Sequence, residues 1–508
     1  MTLNRRGFIT SLTGSLMLPG CSTPGEPVAQ KSPFRHGVAS GDPLSDRVML
    51  WTRISADPAL LKDKPLNVNW QLFADPDTSE LIAEGLVPTG PQRDYTVKID
   101  VTGLAPGRTY YYRFKTLGYS SPLGRTRTLP TGQVTAINLA VASCANYPFG
   151  YFNAYDAIAR RDDLDAVLHL GDYIYEYGPG EYGEQTELRS HVPPHEAITL
   201  NDYRRRHAQY KTEPALQQAH AAHPFIAVWD DHESANNSWR GGAENHSPGE
   251  GDWLARKRAA QQAYFEWMPI RAIADGPEYR IYRSFDFGSL ADLCMLDTRL
   301  IGRDRQASGI DDLATINDPE RSILGSAQRD WLTARLTRES PPLWRLIGQQ
   351  LMFGQLIFDG TITSPDMWDG YPASRMGLFA LLEAKNIENV AVLSGDIHSS
   401  WALELYADPF RNRNYSLGVE LITPSVSSPA APTLAQAQKR EMNILEQLPH
   451  VQFVDLFHHG YLSINITRER LKADWWFVDP VDSPVYTRYL GASYIAAAGT
   501  NRLHRLAE

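Results

Sequence analysis

Cysteine is scarce in this chain, occurring three times in 508 residues, at positions 21, 144 and 294. Three thiols exclude the dense disulfide framework on which small secreted domains depend. Basic residues are not in excess either, since 49 Lys and Arg against 59 Asp and Glu give a formal net charge of −10. A nucleic-acid-binding protein presents a basic face, so no nucleic-acid-binding footprint is indicated. A phosphate-bearing substrate is still allowed, because bound cations dominate the field of such a site.

Long apolar runs and two common motifs are also missing. Beyond the first 20 residues, no stretch approaches the ~20 apolar residues that cross a bilayer. Neither the Gly-x-x-x-x-Gly-Lys loop nor the Gly-x-Ser-x-Gly turn occurs, which argues against nucleotide kinases and serine hydrolases. What is present is an ordinary globular composition, 43% hydrophobic and 21% charged, on a chain long enough for two domains.

The first 21 residues predict a targeting segment rather than part of the fold. Asn4-Arg5-Arg6-Gly7-Phe8-Ile9 and the apolar stretch after it resemble a twin-arginine signal, and Leu18-Pro19-Gly20-Cys21 resembles a lipobox with an unusual proline. We expect export by the twin-arginine machinery to the periplasm or cell surface, with a lipid on Cys21 giving peripheral membrane attachment. A cleavable signal in which Cys21 is incidental is the alternative. Residues 22–32 are rich in Ser, Pro and Gly and predict a flexible tether.

Residues 33–130 have the pattern of an all-β domain. Leu66, Val68, Trp70 and Leu72 alternate with polar residues, as a half-buried strand requires. The later Leu-Ala-Pro-Gly-Arg-Thr-Tyr110 resembles the corner of a fibronectin type III sandwich, where a tyrosine bonds back across the strand corner. We expect a β-sandwich with a structural role; sugar binding is the alternative.

Residues 135–508 alternate between short apolar runs and helical patterns, which predicts an α/β domain. The pattern indicates helices packed outside a β core. The predicted strands are Ile137–Ala142, Ala166–Leu170, Phe225–Trp229, Leu293–Leu296, Trp344–Ile347 and Val390–Leu393, and the predicted helical stretches are Asn201–Ala222, Asp252–Trp267 and Ser326–Arg338.

Four short strings place metal-binding side chains directly after predicted strands. The carboxyl ends of strands in an open α/β sheet share one crevice, so these side chains are expected to converge. The convergence predicts a metal site for two or more ions. The strings are Ala-Val-Ala-Ser-Cys144, His-Leu-Gly-Asp172-Tyr-Ile-Tyr175-Glu, Trp-Asp-Asp231-His232-Glu with Asn236 close behind, and Leu-Ser-Gly-Asp396-Ile-His398.

The donor atoms in these strings differ in chemistry. Cys144 offers a soft thiolate for iron or zinc, and the phenolate of Tyr175 suits iron(III). Asp172 offers a carboxylate able to bridge two cations, while carboxylate and amide oxygens suit calcium or magnesium. Asp396 and His398 are two apart, so on an extended segment both side chains point the same way. Each string alone is more often a turn, a buried thiol or strand packing; the four together predict a mixed-metal centre.

These motifs resemble those of a known superfamily. The order from Gly-Asp172 through a loop with His232 to Gly-Asp396-Ile-His398 is similar to calcineurin-type metallophosphoesterases, and Gly-Asp-x-x-Tyr resembles the purple acid phosphatase variant. With Ser-Cys144 and Trp368-Asp-Gly-Tyr-Pro372 the chain is identified as a member of the PhoD-like alkaline phosphatase/phosphodiesterase family. The resemblance covers about residues 33–500 and implies a two-sheet αββα sandwich.

The same resemblance implies the metals and their ligands. It implies iron(III) and calcium, with zinc or other divalent cations as the alternative. Cys144, Asp172, Tyr175 and His398 are then iron ligands, while Asp172, Asn236 and Asp396 are calcium ligands. Asp231 stands where most metallophosphoesterases have Asn, so either Asp231 or Asn236 is the ligand at that position.

The function implied is an exported, metal-dependent phosphoric ester hydrolase acting on monoesters, diesters or both. His232 is the expected proton donor to the leaving oxygen, with Asp231 the next candidate. One alternative is a phospholipase or a phosphodiesterase of envelope polymers. Another is a tethered glycan-binding protein whose metals are structural. The sequence leaves the oligomeric state open.

Four weaker expectations concern the rest of the catalytic region. Arg299 is expected in a structural ion pair. The His458-His459 pair brings a further imidazole to the site or lies in an exposed loop. Trp368, Asp369, Tyr371 and Arg375 form a substrate rim or an aromatic anchor of their loop. By resemblance alone, residues near Tyr486–Ala498 form a helix over the metal centre.

Overall fold

The computed structural model describes residues 32–55, 61, 64–182, 187–271, 273–275 and 278–506. The predicted signal peptide and nearly all of the predicted tether lie outside the described residues. Within them, no helix is long and apolar enough to cross a membrane.

The N-terminal region consists of strands, as its alternating pattern predicts. In β6 every second residue is buried, and the buried side chains face a core shared with β2 and β3. Tyr110 Oη accepts a hydrogen bond from the Ala105 backbone N–H at 2.9 Å, which is the predicted bond across the strand corner. The strands are β1 (Val38–Gly41), β2 (Arg47–Arg53), β3 (Leu66–Phe73), β4 (Leu81–Thr89), β5 (Thr96–Thr102), β6 (Thr109–Thr116), β7 (Tyr119–Ser120) and β8 (Gly124–Arg127).

The following region begins with three parallel strands and four helices. The predicted helical stretch 201–222 is two helices, because Pro214 has no backbone N–H to continue the first and instead begins the second. The elements are β9 (Ala136–Ala142), α1 (Asn153–Ala159), β10 (Ala166–His169), α2 (Leu200–Tyr210), α3 (Pro214–Ala222), β11 (Pro224–Ala227) and α4 (Trp253–Trp267).

The remaining elements build a second sheet and return to the first. Short 3₁₀ turns occur at Pro91–Arg93, Pro248–Glu250 and Trp368–Gly370. The elements are β12 (Ile273–Asp275), β13 (Glu278–Arg280), β14 (Arg283–Phe287), β15 (Ala291–Met295), α5 (Leu313–Ile316), α6 (Gly325–Leu336), β16 (Trp344–Gly348), β17 (Ile357–Phe358), β18 (Thr361–Ile362), α7 (Pro372–Ala384), β19 (Val390–Ser394), β20 (Ser400–Leu405), β21 (Gly418–Ile422), α8 (Leu434–Gln447), β22 (Val451–Asp455), β23 (His459–Thr467), β24 (Arg470–Asp479), β25 (Thr487–Ala497) and β26 (Leu503–Arg505).

Two large sheets form the body of the molecule. One runs β26-β25-β24-β23-β9-β10-β11-β1-β2-β5, and the other runs β14-β15-β16-β19-β21-β20-β22. Side chains of both sheets, such as Leu168 and Leu346, lie in one buried cluster between them. The expected two-sheet α/β sandwich with an all-β N-terminal region is therefore present. Because β1, β2 and β5 extend the first sheet, strands of both regions share it; the domain limits 33–130 and 135–508 stay predictions.

The expected helix near Tyr486–Ala498 is wrong. Thr487–Ala497 is a strand, β25, paired antiparallel with β24 on one side and β26 on the other. Ala492, Tyr494 and Ala496 lie in the buried core cluster, and strand pairing on both sides satisfies the backbone hydrogen bonds.

Candidate metal centre

The loops after four parallel strands meet at the carboxyl ends of the two sheets. Cys144 follows β9, Asp172 follows β10, Asp231 follows β11 and Asp396 follows β19. Ligand atoms from these loops fall into three groups, and the atoms within each group lie within 4.8 Å of one another. The convergence expected from the strand ends is thus present.

The first group, with the tyrosine beside it, is called here the thiolate end and comprises Cys144, Asp172, Tyr175 and His398. Tyr175 Oη donates to Asp172 Oδ2 at 2.8 Å and lies 3.2 Å from His398 Nε2. His398 Nδ1 lies 3.1 Å from the Pro429 carbonyl oxygen, which only an N–H can satisfy. His398 therefore turns Nε2 toward the phenol, in the tautomer that a metal-binding imidazole needs.

The opposite group, called here the arginine end, comprises Asp230, Asp231 and Asp396 around Arg299. A middle group of Asp172, Asp231 and His232 shares one residue with each end. The three groups therefore form a continuous row of ligand atoms in which Asp172 and Asp231 are the shared members.

His232 is held in place from two sides. Its Nδ1 lies 2.8 Å from Glu176 Oε2, and its ring stacks on Tyr175 with centroids 4.3 Å apart. The other oxygen of Glu176 accepts the backbone N–H of Asn236 at 2.6 Å. Because Glu176 occupies Nδ1, the ring presents Nε2 to the middle of the row.

Glu233 ties two of the loops together. Its carboxylate accepts the backbone N–H groups of Asp172, Tyr173 and Asp230 at 3.1, 2.6 and 2.7 Å. Gly171, with φ of 111°, passes so close to the same loop that a Cβ would meet the Asp230 nitrogen at 2.6 Å. Only glycine fits there, which explains the Gly-Asp form of the motif.

Four predicted ligands sit in the left-handed region of backbone space. The φ angles are 60° for Cys144, 54° for Asp172, 64° for Asp396 and 54° for His398. Non-glycine residues adopt this region rarely, and such residues cluster at functional sites. The expectation that Asp396 and His398 lie on an extended segment is therefore wrong: the backbone turns after β19, and the two side chains reach opposite ends of the row.

Burial shifts the ionisation of the thiolate end. It raises the pKa of Cys144 and of Tyr175 well above their ordinary values, and the nearby Asp172 carboxylate raises both further. Burial also raises the pKa of Asp172. A cation bound here must therefore displace protons from the thiol and the phenol.

The pKa shifts at the arginine end and in the middle group depend on neighbouring charges as well as on burial. Burial raises the pKa of Asp396 to about 7 against the opposing effect of Arg299. Burial alone would raise the pKa of Asp231 as well, but Arg299 and His232 hold it at about 2. Burial would lower the pKa of His232, yet the Asp231 and Glu176 carboxylates raise it well above 6.5.

Some predicted residues lie outside the row. The half-buried Asn236 uses Nδ2 to donate to Asn245 Oδ1 at 3.3 Å, so its role as a ligand stays a prediction, whereas Asp231 belongs to two of the groups. His458 binds Asp455 and His459 binds the Ser428 carbonyl oxygen, so neither is in a group.

Trp368 is an anchor rather than a substrate rim. It is buried, and its Nε1 donates to Gln349 Oε1 at 3.1 Å. Asp369 and Arg375 are also buried and pair with each other at 2.6 Å. Of the two readings of this loop, the structure supports the buried aromatic anchor.

Five contributors to the site were not predicted from the sequence. Asp230, Glu176 and Glu233 lie beside predicted residues in the four strings, which was a usable signal. Ser428 Oγ lies 2.6 Å from Tyr175 Oη and 2.9 Å from the Cys144 carbonyl oxygen, and Asp366 binds Arg299. Nothing in the local pattern around these two residues marked them.

The fold and site together define a class: a metallophosphoesterase-type α/β sandwich with a row of metal-ligand groups at its strand ends. The model of the PhoD-like phosphatase family matches residues 139–475, and the model of the PhoD-like phosphatase N-terminal domain matches residues 20–130. This chain belongs to the PhoD-like phosphatase family. The family predicted from the motifs is thereby confirmed.

Two similar proteins extend over most of the chain. Alkaline phosphatase D of Bacillus subtilis (strain 168) is 39% identical over 482 residues, which covers 91% of this chain and 80% of the relative. A solved structure of PhoD has a TM-score of 0.87 at 36% identity, covering 96% of this chain and 94% of that one. The protein is accordingly an enzyme of the phosphoric ester hydrolase class, as expected.

Proposed function

We propose that this enzyme hydrolyses phosphate diesters as well as monoesters, using cations held along the row of ligand groups. The observation that carries the proposal is the continuity of the row, in which Asp172 and Asp231 each belong to two groups. Shared carboxylates of this kind hold neighbouring cations close enough to act on one phosphoryl group.

The side chains present fit such cations. Asp172 Oδ1 and Asp230 Oδ2 are buried and find no hydrogen-bond donor among the described residues. An unpaired carboxylate oxygen is costly to bury, and a cation offsets that cost. A thiol, a phenol and an imidazole at one end suit iron(III), while the all-carboxylate opposite end suits calcium. We therefore keep iron(III) and calcium as the proposed pair, with zinc or other divalent cations as the alternative.

When bound, such cations polarise the phosphoryl oxygens and lower the pKa of an attacking water. The chain supplies the rest of the chemistry. His232 Nε2 is oriented by Glu176 and by the stacked Tyr175 ring, which suits it to protonate the leaving oxygen. Both Asp231 oxygens accept backbone N–H groups, from His232 and Asn237, and this stabilises the ionised carboxylate. Asp231 is thus better assigned as a ligand than as a proton donor.

Two cavities are lined by residues that contact side chains of the row, which supports the choice of diesters. One of about 760 Å³ is lined by Ser427, Pro429 and His459, and the Pro429 carbonyl oxygen contacts His398 of the thiolate end. The other, of about 730 Å³, is lined by Asn237, Trp239 and Asp366, the last of which binds Arg299 of the arginine end. A phosphodiester has two ester arms, and the two cavities give each arm room. Phospholipid and envelope-polymer diesters stay alternatives for the natural substrate, and family membership disfavours a non-enzymatic glycan-binding protein.

The test compares bis(p-nitrophenyl) phosphate with p-nitrophenyl phosphate, using wild-type enzyme and the Asp396→Asn variant. We expect turnover of both esters by wild type, and loss of both activities together with part of the bound metal in the variant. An enzyme that cleaves only the monoester would refute the diester assignment. Full activity in metal-free protein would refute the metal assignment.

Export and attachment are proposed on the sequence motifs alone. A lipid on Cys21 contributes ~0.8 kcal/mol per buried CH₂, and two or more chains give stable membrane binding. Wild type should partition into a detergent phase and Cys21→Ser into the aqueous phase. Aqueous partitioning of both proteins would show that Pro19 spoils the lipobox and that Cys21 is incidental.

A further inference from the structure

Arg299 is fully buried at the centre of four carboxylates. Its Nε donates to Asp230 Oδ1 at 2.5 Å, Nη1 contacts Asp366 at 2.8 Å, and Nη2 donates to Asp396 Oδ1 at 2.9 Å. Nη2 also lies 3.6 Å from Asp231 Oδ1. Every guanidinium nitrogen therefore already donates a hydrogen bond to a carboxylate of the protein.

The backbone that carries Arg299 is held by hydrogen bonds within the protein. Asp297 Oδ1 accepts the N–H of Arg299 at 2.9 Å and that of Leu300 at 2.8 Å. The preceding Thr298 donates its N–H and its hydroxyl to Gln350 Oε1. The guanidinium therefore projects from a rigid turn after β15, on the sheet that also carries Asp396.

Asp366, which is not a member of the arginine end, contacts the guanidinium of Arg299. Its carboxylate takes both Nη1 contacts of Arg299, and Oδ1 also accepts Nη2 of Arg303 at 2.5 Å. Arg303 is equally buried, but its side-chain contacts are with Asp366, Thr298 and the ring of Tyr371. The two arginines thus share Asp366 and differ in that Arg299 alone contacts the carboxylates of the arginine end.

We propose that Arg299 is a positioning residue that fixes the arginine end for a hard divalent cation. It binds Oδ1 of both Asp230 and Asp396, which frees Oδ2 of each for the cation. Asp230 Oδ2 is buried without a hydrogen-bond partner among the described residues, as that geometry requires. The inference rests on the proposed function, and it assigns Arg299 to the protein's carboxylates rather than to the substrate.

The test uses Arg299→Lys with Arg303→Lys as its matched control in the full-length protein. Lysine keeps the charge of arginine but cannot contact three carboxylates in one plane. Calcium affinity is measured by titration calorimetry, and the visible absorbance of the thiolate end and the thermal midpoint are recorded for each variant. Residues that orient metal ligands typically contribute 10–100-fold to metal affinity, so we expect about that loss in Arg299→Lys. Arg303→Lys should keep wild-type calcium affinity, and both variants should keep the visible absorbance.

Equal calcium loss in the two variants, or loss of visible absorbance along with calcium in Arg299→Lys, would overturn the inference. If Arg299→Lys does not fold, the Asp366→Asn variant tests the inference instead. This substitution removes the carboxylate charge that contacts the Arg299 guanidinium, while asparagine keeps the shape of the aspartate side chain. We expect a smaller loss in Asp366→Asn, up to about tenfold, and unchanged affinity would overturn the inference. Wild-type protein that binds no calcium would also overturn it. Ester hydrolysis, measured separately, would then decide the proposed function.

Discussion

The thiolate end and the arginine end lie in one row of ligands but differ in how the charge of their side chains is balanced. At the thiolate end, burial raises the pKa of the Cys144 thiol and of the Tyr175 phenol, which favours their neutral forms. At the arginine end the donors are carboxylates, and the Arg299 cation offsets their repulsion. A cation therefore binds at the first end by displacing protons, and at the second by joining a cation already present. This difference between the two ends is the reason for proposing two metals of different hardness in one site.

The largest expected effect separates proton donation from metal binding, using His232, which lies between the two ends. His232→Ala should reduce hydrolysis of alkyl esters such as glycerol phosphate by about 10²–10⁴-fold, the usual contribution of a general acid. Hydrolysis of p-nitrophenyl phosphate should fall much less, because p-nitrophenolate leaves without a proton. Steady-state rates and elemental analysis check this. Equal losses on both esters, with metal lost, would make His232 a ligand instead.

A second expectation tests whether the ends are joined. Asp172 belongs to the thiolate end and to the middle group, and the middle group shares Asp231 with the arginine end. Asp172→Asn should therefore weaken the cation of the thiolate end by about 100-fold or more, beyond the effect of losing a residue that only orients a ligand, and should also weaken the neighbouring cation through the middle group. Cys144→Ser is the matched control, since Cys144 belongs to the thiolate end alone. Elemental analysis after gel filtration measures both variants. Retention of full calcium content in Asp172→Asn would show that the ends are independent.

Much of this centre could be predicted from sequence because its signals are local. Asp172 and Tyr175 lie in one string after a predicted strand, and the structure brings them together, with Tyr175 Oη donating to Asp172 Oδ2. The conformation of Asp396 and His398 could not be predicted, because neighbouring loops rather than local preference force the positive φ angles. A Cβ on Gly395 would meet Ser143 Oγ at 2.8 Å, which shows how tightly these loops pack.

Other parts depended on topology. Ser428 reaches Tyr175 across 253 positions of the chain, through the pairing of strands that no local pattern reveals. Residues near Tyr486–Ala498 were expected to be helical by resemblance alone, whereas backbone pairing with β24 and β26 makes them a strand. Arg299 was expected in a structural ion pair, and its contact with four carboxylates depends on loops from both sheets.

A smaller effect contrasts the candidate metal centre with the N-terminal strands, for which we expect a structural role. Tyr110→Phe removes the bond to the Ala105 backbone and should lower the free energy of unfolding by about 1 kcal/mol. Tyr111→Phe, on the next and less buried position of β6, is the matched control and should change little. Denaturant unfolding measures both, with ester hydrolysis unchanged. Equal losses of unfolding free energy in the two variants would show that the strand-corner bond makes no specific contribution to stability.

The smallest effect concerns the His458–Asp455 pair, which lies outside the row. It is compared with the other imidazole–carboxylate pair, His232 and Glu176, which lies at the row. Partial burial would lower the pKa of His458, but Asp455 at 2.7 Å raises it above 6.5. Burial would raise the pKa of Asp455, but His458 holds it below 3.8. The histidine's contribution is complete below pH 6.5 and is lost as pH rises through its folded pKa. The aspartate's contribution is present above pH 3.8 and is lost as pH falls below that value.

The pair should therefore stabilise the fold most between about pH 4 and 6.5, by roughly 0.5–1 kcal/mol for partly exposed groups. His458→Gln should lose that amount at pH 5.5 and less at pH 8.5, whereas the exposed His504→Gln should lose little at either. Unfolding free energies at the two pH values decide. A loss that grows with pH would contradict the assigned direction.

The difference between the two ends is tested most directly by elemental analysis of purified wild-type protein together with its visible spectrum. We predict that iron and a hard divalent cation are present in the same molecule, with visible absorbance from charge transfer by the thiolate and phenolate. Tyr175→Phe should shift or bleach the phenolate part of that absorbance without removing the divalent cation. A colourless, iron-free and fully active enzyme would contradict the assignment of the thiolate end to iron(III).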